Sequence, residues 1–269
     1  MSTIPLAVHG ASGRMGRRMV ALAPEFGFSV TSAFVSPSSP ELGRDAGELA
    51  GVAALGVPLT SLATASAAFM NTRVLIEVSS PAGMRHALAA CRTAKVPMVI
   101  GTTGLSAEDQ QALAQASLEI PILQATSFSL VVNVMWKLAA EAARMLGPAY
   151  DIEVMETHHR FKKDAPSGTA MTLVQKLCDA TGRNIHEDVV YTRAGHEATR
   201  KPNEITVQTL RLGDCPGEHT VYFGAPGERM EIKHVSTTRD SYVLGALRAA
   251  KWLANQKPGR YSMADVLGI

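Results

Sequence analysis

"IPLAVHGASGRMGRRMVAL", residues 4–22, changes its hydrophobic period at Gly10. Up to His9 the apolar residues run together, as in a short strand buried on both faces. Beyond the glycines Met15, Met19, Leu22 and Phe26 recur at helical spacing until Gly27 stops them. The stretch therefore reads as strand, turn and helix. Gly10, Gly13 and Gly16 let the turn backbone come close to a ligand. The amides of residues 12–15, with the positive end of a helix dipole behind them, suit a pyrophosphate.

Outward from this step the same alternation repeats. "FSVTSAFV" (28–35), "VLIEV" (74–78), "VPMVIGTTG" (96–104) and "IPILQAT" (120–126) supply further strands. Between them Ser80 and Pro81 open a helix that buries Met84, Leu88 and Cys91, and Ser106 with Asp109 forms a capping box. Five such alternations predict a parallel, doubly wound sheet. "GTTG", 101–104, then falls at the carboxyl edge of that sheet, where ligands collect, and becomes a candidate for the nicotinamide end of a dinucleotide. "SPSSPELG", 36–43, reads as a loop.

After about Asn133 the pattern changes. A helix through "WKLAAEAARML" precedes "YDIEVMET", and Ser167 caps a helix to about Ala180. "EITVQTLRL" (204–212), "EHTVYFGA" (218–225) and "RMEIKHVS" (229–236) follow so closely that antiparallel pairing is expected. The last long helix, 239–256, carries Val243, Leu247, Ala250 and Ala254 on one side and is expected to return to the first domain. The predicted division is 1–130, completed by 239–269, and 131–238.

Charge narrows the partners. Among 269 residues, 26 basic against 24 acidic side chains give a net charge of +2, which argues for neither nucleic acid nor a membrane surface. A small-molecule ligand is the expectation. Three separated cysteines, and a start too short for a secretory signal, suit a reducing, cytoplasmic setting. No metal is expected: His196, His219, His234 and Cys215 lack ligand spacing and read as scattered structural residues. Trp136 and Trp252 read as core or interface residues on helix faces.

"HHRFKKDAPSGTA", 158–170, gathers two histidines, Arg160, Lys162, Lys163 and the helix start at Ser167–Thr169. Lysine charge, hydroxyls and backbone amides, with Gly168 leaving space, suit a dianion. A histidine beside that anion is placed to give a proton near neutral pH.

With these motifs assembled, the chain resembles the dihydrodipicolinate reductase family of bacterial lysine biosynthesis. "GASGRMG", "GTTG", "NVM", "HHRFKKDAPSGTA", "GDCPGEHTVYF", "GERMEIKH", Arg239 and "GALRAAKWL" carry the likeness end to end. The resemblance implies a Rossmann-like cofactor domain and a second α+β domain on a mixed sheet, which binds substrate and builds a homotetramer. It further implies hydride transfer from NADPH or NADH to a cyclic imine bearing two carboxylates. By position His158 matches the family's proton donor and acceptor, and Lys162 its second proton-donating or substrate-orienting group. His159, Ser167, Gly168 and Thr169 match substrate contacts. Gly10, Ala11, Ser12, Gly13, Arg14 and Met15, then Gly101, Thr102 and Thr103, then Ala125, Thr126, Ser127 and Phe128, match the cofactor-lining segments.

Several positions depart from the family pattern. Glu77, Val78 and Ser79 stand for aspartate, phenylalanine and threonine, Ser127 for asparagine, and Val131 for glycine. Val35 and Ser36 occupy the positions where the family often reads the adenosine ribose with glutamate and arginine. NADPH is therefore expected to be modestly favoured, with Ser36, Ser38 and Arg14 as donors to its 2′-phosphate. The drifted nicotinamide surroundings leave open a reductase of another cyclic imino acid. A non-catalytic nucleotide-binding regulator is opposed by the retained His158 and Lys162.

Overall fold

The computed structural model describes residues 3–62 and 71–269. The opening stretch forms β1 (Ile4–His9) and α1 (Arg14–Leu22), extended by a 3-10 turn to Phe26 and ended by Gly27 at φ +81°. β2 (Phe28–Val35), α2 (Ala46–Ala50), β3 (Leu59–Ser61), β4 (Val74–Glu77), α3 (Pro81–Ala94), β5 (Met98–Ile100), α4 (Ala107–Ala116) and β6 (Pro121–Gln124) continue the alternation. α5 (Leu130–Leu146), β7 (Asp151–His158), α6 (Gly168–Thr181), β8 (Val189–Val190), β9 (Ile205–Arg211), β10 (Gly217–Ala225) and β11 (Glu228–Ser236) come next. Last are α7 (Asp240–Leu253), β12 (Gly259–Tyr261) and α8 (Met263–Leu267). The chain divides into two compact units, one running to Leu130 and including Asp240–Gly268, the other Val131–Arg239.

The first unit holds a seven-stranded parallel sheet in the order β12-β6-β5-β4-β1-β2-β3. Its strands show the period-two division of a sheet covered on both faces. Leu6, Val8, Val74, Ile76, Val99 and Leu123 pack with Met19 and Val20 of α1 and with Val243 and Leu247 of α7. Ala7, Leu75, Met98, Ile100 and Ile122 pack with Met84, Leu88 and Cys91 of α3 and Leu113 of α4. Each large apolar side chain so buried contributes about 1.5–3 kcal/mol relative to exposure. β3 and β12 were not expected: three residues are too few to show a period. The chain leaves β1 toward β2 on one side and resumes at β4 on the other, opening a crevice at the carboxyl ends of these neighbours.

The second unit is a five-stranded sheet in the order β11-β10-β7-β9-β8, with α5 and α6 packed on one face. Here the expectation of antiparallel pairing needs correction. β10 is antiparallel to both β11 and β7, but β9 runs parallel to β7 and β8 parallel to β9. β9 and β10 flank β7 rather than each other, so the "GDCPGE" segment carries the chain across β7 instead of closing a hairpin.

Candidate active site

In the second unit the helix-covered sheet face changes chemistry along its strands. The row Val207, Val154, Val221, Ile232 crosses four strands in register and is apolar. Two residues further along, the same face reads Thr209, Glu156, His219, His234, and beyond that Arg211 beside His158. The core thus gives way to a polar end, and α6 begins there. Glu156 is fully buried and holds His158 Nδ1 at 2.5 Å. It also accepts from Arg211 at 3.1 Å, from the Ser167 amide at 3.1 Å and from Thr209 at 3.3 Å. Burial alone would push this carboxyl up, but His158 and Arg211 outweigh it and hold it below the usual range. An ionised Glu156 draws the His158 proton to Nδ1 or shares the charge of an imidazolium, leaving Nε2 as the working nitrogen.

The basic loop is built beside this row. Lys162 pairs with Asp164 at 2.9 Å, with its side chain 19% exposed. His159 lies against Phe161, and Arg211 reaches the Asp164 carbonyl at 2.6 Å. Ser167 caps α6 by accepting from the Ala170 amide at 3.1 Å, while the Gly168 Cα faces open space. Gly168 and Thr169 form the first turn of α6, and their amides have no hydrogen-bond partner among the described residues.

Reading His219 and His234 as scattered is overturned. His219 stacks edge-on with His158 at a centroid distance of 5.2 Å and lies 6.0 Å from His234. Glu156, Arg211, His219 and His234 were all missed. One signal was present: Glu156 is two residues before His158 in a strand, so the two share a face.

In the first unit the glycine turn has the shape of a cradle. Gly10 has φ +84°, and a Cβ on Gly16 would fall 2.2 Å from the Gly10 carbonyl oxygen, so only glycines let α1 sit this close to the strand end. The turn fits a dinucleotide phosphate, with one correction. The Gly13 amide is taken by the Gly10 carbonyl at 3.0 Å, so of residues 12–15 the amides of Ser12, Arg14 and Met15 remain for a ligand.

Two cavities, each of about 390 Å³, open at the carboxyl edge of the sheet. One brings together Met15, Gly101, Thr102, Thr103, Ala125, Thr126, Ser127 and Phe128, as the sequence suggested, and adds Val78–Pro81 and Tyr242. The other is lined by Val35 and Ser36 and adds His9, Ser61, Leu62 and His86. Arg14 is exposed and lines neither. Ser79 and Ser80 line both. Behind them Glu77 is fully buried, which raises its pKa, and it accepts from the Ser79 amide at 2.8 Å and from the Ser79 hydroxyl. Burial, with His86 nearby, lowers the neighbouring His9 to about 4. Among the described residues no cluster of acidic, histidine or cysteine side chains could hold a metal ion, and no helix is long and apolar enough to cross a membrane.

Residues 4–128 match the family model "Dihydrodipicolinate reductase, N-terminus", and residues 131–267 match its C-terminal counterpart. The 4-hydroxy-tetrahydrodipicolinate reductase of Acinetobacter baumannii (strain AYE) is 43% identical over 270 residues, covering 100% of this chain and 98% of its own. That of Cupriavidus necator is 46% identical over 266 residues, covering 98% and 99%. The fold is shared with dipicolinate-bound dihydrodipicolinate reductase from Paenisporosarcina sp. TG-14, at a TM-score of 0.76 and 21% identity over 98% of both chains. GenD2 from gentamicin A biosynthesis, solved with NAD, aligns at 0.63 and 13%, covering 99% and 91%. The fold, the two family models and these full-length relatives together place the chain in the dihydrodipicolinate reductase family.

Proposed function

We propose that the protein reduces 4-hydroxy-tetrahydrodipicolinate to tetrahydrodipicolinate with NADPH or NADH, in the route to diaminopimelate and lysine. The observation that carries this reading is the buried Glu156–His158 pair behind a cationic loop and a helix start, built for a proton transfer beside a carboxylate. A bound reduced nicotinamide supplies the hydride. Ser12, Arg14 and Met15 would offer backbone amides to its pyrophosphate, Gly101–Thr103 and Ala125–Phe128 would wall the cavity for its nicotinamide end, and Val35 and Ser36 would meet its adenosine ribose. The 4-hydroxyl of the substrate leaves as water, hydride adds to the unsaturated ring so formed, and His158 gives that ring a proton from Nε2 while Glu156 holds Nδ1 and stabilises the positive form. Lys162, His159, Thr169 and the amides of Gly168 and Thr169 hold the two carboxylates. Assembly as a cytoplasmic homotetramer belongs to the same reading. Leu210, Leu212, Met230 and Val235, exposed on or next to β9 and β11, supply apolar surface for it.

NADPH oxidation with freshly generated 4-hydroxy-tetrahydrodipicolinate tests the activity. No turnover overturns it, and faster turnover of another cyclic imine would transfer the reading to that substrate. Lys162→Ala is expected to weaken binding of 2,6-pyridinedicarboxylate, a planar stand-in for the substrate, about tenfold or more, since a charge-assisted bond to a carboxylate is worth roughly 1.5–3 kcal/mol. Unchanged affinity by calorimetry would assign the amine to Asp164 alone.

Coenzyme choice follows from the first cavity. Val35 is 2% exposed and its side chain offers no acceptor to a ribose hydroxyl, while Ser36 and Ser38 stand 3.0 Å apart and can donate to a 2′-phosphate. Because Arg14 does not line this cavity, the preference rests on Ser36, which lines it, with Ser38 hydrogen-bonded to its hydroxyl. kcat/KM should favour NADPH by about tenfold or less, one decade being about 1.4 kcal/mol. Parallel measurements at one ionic strength check this, and a clear NADH preference would sink it.

A further inference from the structure

The row that carries Glu156 also carries His219, fully buried, with Nε2 3.2 Å from the Ser167 hydroxyl. That hydroxyl already accepts from the Ala170 amide, and Ser167 is 1% exposed. Two proton arrangements are possible. If His219 donated from Nε2, the serine proton would have no acceptor among the described residues. The lone pair left on Nδ1 would also be stranded, because Nδ1 has no partner. If instead the serine donates to Nε2, only the Nδ1 hydrogen is unpaired. The second arrangement leaves one buried group unpaired rather than two, and buried polar groups overwhelmingly find partners. It also requires a neutral ring, and burial, with His158 and His234 alongside, lowers this imidazole to about 3.

We propose that His219 is a positioning residue: its Nε2 accepts the Ser167 hydroxyl, so that the substrate carboxylate is met by the amides of Gly168 and Thr169 and not by the serine. This rests on the reductase reading above and replaces the substrate contact that the family resemblance implies for Ser167. Ser167 frames the site instead of touching the ligand. Its amide is spent on Glu156 and its hydroxyl on His219, so one serine couples the start of α6 to both buried neighbours of His158.

The tautomer can be read without turnover. Long-range ¹H–¹⁵N NMR of the imidazoles in the full-length protein should show His219 protonated on Nδ1 and bare on Nε2, and the reverse overturns the proposal. Binding supplies the second test, on NADPH-saturated enzyme titrated with 2,6-pyridinedicarboxylate. His219→Leu and Ser167→Ala should each weaken the inhibitor about tenfold, the loss expected for one framing hydrogen bond. Substrate KM should rise in step while the KM for NADPH stays unchanged. The double variant should bind no more weakly than Ser167→Ala alone, because both single changes remove the same bond and the serine change already removes the helix cap as well. His219→Gln, whose amide oxygen can reach the Nε2 position, should recover affinity to within about threefold. A glutamine variant as weak as the leucine variant overturns the proposal. So does loss of binding in Ser167→Ala with His219→Leu unaffected, which would mean that the serine meets the ligand itself. If His219→Leu does not fold, the glutamine variant, Ser167→Ala and the NMR result decide. Failure of the reductase reading would appear separately, as wild-type protein that neither turns over nor binds the inhibitor.

Discussion

Replacing His158 by glutamine is expected to lower kcat by about 10²- to 10⁴-fold, the contribution of a positioned general acid, with substrate KM almost unchanged. Folding should survive the change. Glu156 keeps Arg211, Thr209 and the Ser167 amide as partners, so no isolated buried charge is created. Steady-state kinetics with NADPH in excess measure the effect. A variant with wild-type kcat would remove His158 from the proton transfer, and an equal loss in kcat and in inhibitor affinity would assign it to binding.

The second large effect is expected at the glycine turn. A Cβ on Gly16 would lie 2.2 Å from the Gly10 carbonyl oxygen and 2.7 Å from the Ala11 Cα, both backbone atoms that a rotamer change cannot move. Gly16→Ala must therefore lift α1 from the turn. Overpacking of this kind costs about 1–3 kcal/mol, which for a chain of this size lowers Tm by roughly 2–12 °C. The lifted helix also carries away the Arg14 and Met15 amides, so NADPH affinity should fall about 10-fold or more. Gly13→Ala is the internal control. Its φ is −74°, and its Cβ would meet one atom at 3.2 Å, so Tm should move little. Thermal unfolding and fluorescence titration read both variants, and Gly16→Ala binding NADPH like wild type would refute the cradle.

Legibility in the sequence followed the range of the interactions. The strand–turn–helix at 4–22, the capping box at Ser106 and Asp109 and the Ser167 cap each depend on residues within a few positions, and each is written locally. β3 and β12 have three residues and exist because a neighbouring strand pairs with them. The direction of β9 is likewise set by β7, about 50 residues earlier in the chain, and not by its short link to β10. The same reason hid most of the site. His158 and the loop after it stand in one stretch, whereas Arg211, His219 and His234 join them only through register across three strands. At the cofactor edge the glycines were legible, but His86 reaches its cavity from one face of α3, and nothing in the helical period marks it.

The Ser79–Ser80 turn has a consequence for redesign and for drift. Because it walls both cavities and hangs on the buried Glu77, no change there stays confined to one of them. On the coenzyme placement proposed above, coenzyme preference and the handling of the reactive end are not independent traits at this turn, and a lineage or an engineer altering one inherits a change in the other. The separable handles lie further out. Val35, Ser36 and His86 touch the first cavity alone, and Thr102, Ser127 and Tyr242 the second. Switching coenzyme without disturbing turnover therefore begins at the end of β2 and on α3, with the serine turn left as it is.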